Sequence, residues 1–215
     1  MRLVLPRLYV ILDAALLTAP ADCAKRLSDA GVRLMQYRDK NTSTGKMLKI
    51  VGDLAELLKL RRVNFFVNDR ADVAALSGAS GVHVGQNDLE VERARSVVGM
   101  NRFVGVSTHN LEQFRRAAAS SADYIAIGPI FRTDTKANPD PIIGVEMVRE
   151  VRRLTKKPIV AIGGITLERA PKLIAAGANT VAVIGDILRA PDPGKRASQF
   201  LEALGEPDRD KAEVD

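Results

Sequence analysis

Apolar residues along this chain gather in eight short runs, and polar residues able to do chemistry follow most of them. The runs are Leu8–Leu12, Val32–Tyr37, Val63–Val67, Gly81–Val84, Phe103–Val106, Tyr124–Ile127, Pro158–Ile162 and Thr180–Ile184. Short, continuous and mostly apolar, they predict strands covered on both faces, as in a parallel sheet. Stretches of helical character lie between them. Asp22–Ala30 stops at Gly31, a good helix terminator. Gly45–Leu60 places Met47, Leu48, Val51, Leu54, Ala55 and Leu58 near the helical period. Leu111–Ser121 follows Asn110, a favoured N-cap, and Thr166–Ala176 carries Glu168 and Arg169 in its first turn and stops at Gly177.

Eight strands alternating with helical segments predict parallel strands joined by right-handed crossovers. A closed (β/α)8 TIM barrel fits the count; the alternative is an open doubly wound sheet, but no G-x-G-x-x-G follows the first strand. The 215 residues, 46% of them hydrophobic, suit one domain over residues 1–204. Residues 205–215 hold five acids against two bases and read as a frayed, charged tail. That tail is −3, so the rest of a chain of net charge +6 is +9. No Lys/Arg run and no Trp accompany the excess, so anionic small molecules explain it at least as well as nucleic acid. No stretch has the ~20 apolar residues of a membrane helix, and the opening residues are broken too soon for a signal peptide. The lone cysteine, Cys23, excludes an internal disulfide and reads as core filler; a reducing, cytoplasmic location is expected.

In such a barrel the residues after each strand share one rim. Asp69 and Asp88 follow strands three and four. With Arg38, Lys40 and Lys136 on the same rim, the pair suits a diphosphate carrying Mg2+, a hard cation that takes carboxylate and phosphate oxygens. The plainer reading has Asp69-Arg70 cap one helix and Asp88 cap the next. Gly163-Gly164 and Ile184-Gly185 follow strands seven and eight, where barrels commonly bind phosphate through backbone N–H groups. The long polar stretch from Gly128 to Pro141 is a candidate lid bearing Thr133, Thr135 and Lys136. His83, inside a strand, is expected to be a packed barrel residue. His109 is a candidate acid/base or a brace for the next helix. There is no Ser/His/Asp arrangement, no H-E-x-x-H and no zinc-type Cys cluster.

Eight ordered segments, Leu8–Asp13, Gln36–Lys40, Val67–Ala74, Gly81–Leu89, Gly105–His109, Asp123–Lys136, Ala161–Ile165 and Gly177–Ile184, resemble the thiamine-phosphate synthase family. The resemblance implies a transferase of thiamine biosynthesis. It would join 4-amino-5-hydroxymethyl-2-methylpyrimidine diphosphate to a thiazole phosphate, or to its carboxylated form, giving thiamine monophosphate and diphosphate, with CO2 also released from the carboxylated form. Diphosphate would leave first, and the thiazole nitrogen would attack the pyrimidine-methyl cation, so no side-chain nucleophile is required. By position, Asp69 and Asp88 would bind Mg2+. Gln36, Arg38, Lys40, Asn68, Ser107 and Lys136 would hold the pyrimidine diphosphate, with Arg38, Lys40 and Lys136 stabilising the departing charge. Thr133, Thr135, Gly164, Ile184 and Gly185 would hold the thiazole phosphate. Two positions depart from the family pattern: Gly185 stands where serine is usual, and Arg132 where proline is usual. Small-molecule partners are implied, no nucleic acid or membrane is, and a homodimer is compatible. The rival is the sister family of thiazole tautomerases, with His109 as acid/base.

Overall fold

The computed structural model describes residues 4–133 and 140–205. Its strands are β1 (Leu8–Asp13), β2 (Leu34–Arg38), β3 (Asn64–Asn68), β4 (Gly81–Val84), β5 (Phe103–Thr108), β6 (Tyr124–Ile127), β7 (Ile159–Ile162) and β8 (Thr180–Val183). Each pairs in parallel with the next and β8 pairs with β1, so the expected eight-stranded barrel is closed. Around it run α1 (Pro20–Asp29), α2 (Thr44–Leu60), α3 (Ala71–Ser77), α4 (Val91–Val98), α5 (Leu111–Ala119), α6 (Gly144–Arg152), α7 (Ala170–Ala175), α8 (Gly185–Leu188) and α9 (Pro193–Leu204).

Several strands run further toward the rim than their apolar runs. Asp13 pairs with Arg38, Asn68 with His83, and Thr108 with Ile127, so polar residues continue the ladder. Helix α7 starts later than its sequence implies. Thr166 accepts hydrogen bonds from Arg169 and Ala170 in a turn, and Pro171, which has no N–H to give, sits in the helix's first turn. The chain also places two helices after β8, where the apolar pattern marks no boundary between them.

The apolar residues form two separate cores. The larger lies between strands and helices, joining residues such as Val10, Tyr37, Val67 and Ile125 to Leu27, Leu54 and Phe114. The smaller fills the barrel itself with Tyr9, Ile11, Leu34, Phe66, Phe103, Tyr124, Val160 and neighbours. Phe66 and Tyr124 meet edge to face at 5.5 Å, while Phe66 stacks on Phe103 at 6.5 Å, both favourable aromatic arrangements. These rings demand small partners. A Cβ at Gly105 would fall on the Tyr124 ring, and one at Gly81 would stand 2.8 Å from Phe66 Cε1. Gly105→Ala therefore overpacks the barrel. It should lower the unfolding free energy by about 1–3 kcal/mol, read as a lower denaturation midpoint with an unchanged slope.

Candidate active site

The carboxyl ends of the strands open onto a cavity of about 760 Å³, within the range of roughly 300–1,000 Å³ usual for small-molecule sites. Gln36, Arg38, Lys40, Asn68, Asp69, Asp88, Ser107, Thr133, Gly164, Ile184 and Gly185 all line it. The convergence required by the sequence reading is therefore present for every described candidate. Thr135 and Lys136 lie outside the described residues, as does the tail from residue 206.

The floor is a buried polar chain. Gln36 Nε2 donates to the Tyr9 hydroxyl at 2.7 Å, and the hydroxyls of Tyr9 and Tyr124 are 3.2 Å apart. Tyr124 also contacts His83 Nδ1 at 2.8 Å, and His83 Nε2 meets Ser107 Oγ at 2.8 Å. Burial raises both phenol pKa values well above the usual range, so both hydroxyls keep their protons. His83 is thus the packed barrel residue that its place in a strand predicts, and it also steers Ser107. Above the floor, Arg38 Nη1 binds Asp13 Oδ2 at 2.5 Å, and Asp13 Oδ1 accepts from Ala15 N at 3.0 Å. This nearly buried aspartate fixes the guanidinium at the cavity wall.

The paired carboxyls are held by backbone geometry. Asp69 adopts φ 61°, left-handed and uncommon outside glycine, and Arg70 N closes onto Asn68 O at 2.7 Å around it. Such strain costs on the order of 1–3 kcal/mol and gathers at functional sites. Asp88 Oδ2 accepts from Gly85 N at 2.8 Å. Neither residue caps a helix: the N-caps of α3 and α4 are Arg70 and Glu90, without side-chain capping bonds. The capping alternative therefore fails for both carboxylates; of the Asp69-Arg70 pair only Arg70 takes an N-cap position, and without a side-chain bond. Asp69 instead binds Lys40 Nζ and hydrogen-bonds the Asp88 carboxyl. Burial first, and Asp88 second, hold the Asp69 carboxyl above the usual carboxylate range against the pull of Lys40.

The residues fit a divalent metal. Two carboxyls in contact at the cavity wall are a site for cationic charge, and the buried Asn68 Nδ2, a donor without a hydrogen-bond partner, suits the anionic oxygens that such a cation would carry. Among the described residues no group of three or more His, Cys, Asp or Glu side chains could hold a metal. Two carboxylates with the remaining oxygens from ligand and water is an arrangement Mg2+ accepts.

The opposite end of the cavity is built from the loops after β6, β7 and β8. Gly163 and Gly164 have φ 101° and 60°, and a Cβ on Gly164 would stand 2.9 Å from Phe131 Cβ and 3.0 Å from the Arg132 carbonyl carbon. Phe131 N donates to Gly163 O at 3.0 Å, so the two loops are pressed together. Sequence reasoning missed two cavity-lining arginines here. Arg169 lies over the Phe131 ring at 4.7 Å and donates to Gly164 O at 2.8 Å; Arg189 stands beside Gly185. The signal was their spacing, a few residues past each glycine. His109 places Nδ1 2.6 Å from Gly128 O and Nε2 3.5 Å from Asp140 Oδ2, bracing the wall below the β6–α6 loop.

A closed barrel whose mouth joins paired carboxyls, fixed cations and glycine loops defines an enzyme for phosphorylated small molecules. A family model described as thiamine monophosphate synthase matches residues 8–187, and the chain belongs to that family. It is 50% identical over 206 residues to a thiamine-phosphate synthase of Koribacter versatilis (strain Ellin345), covering 93% of this chain and 96% of the relative. It is 40% identical over 208 residues to one of Chloroflexus aurantiacus, covering 96% and 95%. A solved thiamine phosphate pyrophosphorylase from Pyrococcus furiosus superimposes with a TM-score of 0.84 at 32% identity, covering 92% of this chain and 95% of that one. The chain is accordingly a transferase of thiamine biosynthesis. No helix among the described residues is long and apolar enough to cross a membrane.

The raised Asp69 pKa has a checkable sign. Its stabilising contribution is complete below the ordinary value of 3.8 and is lost as pH rises through the raised value. Asp69→Asn cannot ionise, so its unfolding free energy should gain on that of the wild type between acid and neutral pH. Denaturant unfolding across pH without added Mg2+ measures this; a difference that does not vary with pH refutes the raised Asp69 pKa.

Proposed function

We propose that the chain condenses 4-amino-5-hydroxymethyl-2-methylpyrimidine diphosphate with a thiazole phosphate, giving thiamine monophosphate and diphosphate. The carrying observation is the Asp69–Asp88 pair with Lys40 beside it, in one cavity with the glycine loops of β7 and β8. In this reading the carbon–oxygen bond to diphosphate breaks first and its electron pair leaves with the diphosphate. The thiazole nitrogen lone pair then forms the new carbon–nitrogen bond. It is an alkyl transfer in which no phosphoryl group moves.

Asp69 and Asp88 would hold Mg2+, which supplies charge neutralisation to the diphosphate. Arg38, held by Asp13, and Lys40 stand where they can offset the departing charge, and Lys136 is assigned the same task by the family resemblance. Gln36, Ser107 and Asn68, whose Nδ2 has no partner, would orient the pyrimidine half; all three line the cavity. Thr133, Thr135, Gly164, Ile184 and Gly185 are assigned to the thiazole phosphate. The two ends of one cavity would thus hold two reactants in line, which supplies much of the rate acceleration.

The tautomerase alternative needs His109 to work on a ligand, whereas its two ring nitrogens face Gly128 O and Asp140. A coupling assay with both purified substrates and Mg2+ tests the reading. Thiamine monophosphate should form, and Asp69→Ala and Asp88→Ala should each cut turnover by about 100- to 1,000-fold and raise the Mg2+ requirement. Isomerisation of the carboxythiazole phosphate without any thiamine phosphate would overturn it, and unchanged kinetics in both variants would remove the metal site.

A further inference from the structure

Gly185 has no side chain, and Arg189 stands against the place where one would be. A Cβ built on Gly185 would lie 3.6 Å from Arg189 Nη1, 3.7 Å from Cζ and 3.9 Å from Cδ. These are ordinary van der Waals distances, so the guanidinium is in contact with that position without crowding it. The spacing explains the meeting. Arg189 N donates to Gly185 O at 3.0 Å, and residues four apart stack on one face of a helical turn. Both residues line the cavity, beside the Gly163-Gly164 loop.

The family pattern puts serine at residue 185. A serine hydroxyl would extend from that Cβ as a neutral donor. Here a cationic fork is offered from the same quarter, and guanidinium groups bind phosphate through parallel charge-assisted bonds. We propose that Arg189 supplies the side-chain contact to the thiazole phosphate that a hydroxyl at residue 185 would otherwise make, with Gly185 leaving room for it. The proposal rests on the assignment of the thiazole phosphate to this end of the cavity. It turns a weakened subsite into one gripped by charge, and makes Arg189 a specificity residue for the phosphorylated acceptor.

Steady-state kinetics at saturating pyrimidine diphosphate and Mg2+ test it. Arg189→Ala should raise the KM for thiazole phosphate by about 10- to 100-fold, as expected for a hydrogen bond to a charged group. The KM for pyrimidine diphosphate and the melting temperature should stay level, because Arg189 is exposed and removes no core contact. The double variant Gly185→Ser with Arg189→Ala should recover part of the loss, since a serine fits there. Calorimetry with inorganic phosphate reads the same contact without turnover: Arg189→Ala should weaken phosphate binding. An unchanged thiazole phosphate KM, an equal rise in both KM values, or undiminished phosphate binding would overturn the role of Arg189. Wild-type protein that binds phosphate through Arg189 yet forms no thiamine phosphate would instead strike the proposed reaction.

Discussion

Closure of a parallel ring is the constraint from which the site follows. Once β8 pairs with β1, each strand has two neighbours and all eight carboxyl ends share one rim. Local register then decides which side chains meet there. Asn68 sits opposite His83, and Asp69 N donates to His83 O at 2.7 Å, bringing the segment after β3 against the segment after β4. Two aspartates nineteen positions apart in sequence thereby come to share a hydrogen bond. Neither helix packing nor capping imposes that meeting; pairing of adjacent strands does.

Beneath the rim, the barrel changes character from apolar to polar within one layer. Phe66, Phe103 and the rings of Tyr9 and Tyr124 fill the lower part, and the two phenols turn their oxygens up toward Gln36 and His83. An aromatic body with a polar tip suits that boundary. Each buried polar group in this chain of contacts has a partner, so its geometry is over-determined. Asn68 Nδ2 departs from that rule: it is a buried donor without a partner, on a residue that lines the cavity.

The strands were legible because burial on both faces leaves an unbroken apolar run, and β4 and β6 match their runs at both ends. The pattern lost accuracy where polar residues extend a strand into the site, as Asp13, Arg38 and Asn68 do. Hydrophobicity is blind to a ladder made by backbone atoms. The start of α7 was misjudged for a related reason: Thr166 has the chemistry of a cap, but Pro171 decides where the helix can begin. Of the site, the strand-end carboxylates, lysine and glycines were readable from position alone. The ion pair of Asp13 with Arg38, the reach of His83 to Ser107 and the stance of Arg189 were not, because each depends on side-chain direction across strands or a helical turn.

The abutment of the β6 and β7 loops has a mechanical meaning. Gly164 rests on the main chain of Arg132 and the Cβ of Phe131, and Phe131 N donates to Gly163 O. Whatever displaces the glycine pair must also displace the stem from which residues 133–143 depart. The loops after β6 and β7 therefore bear on one another as a single abutment, and a shift in the main chain of either is passed to the other.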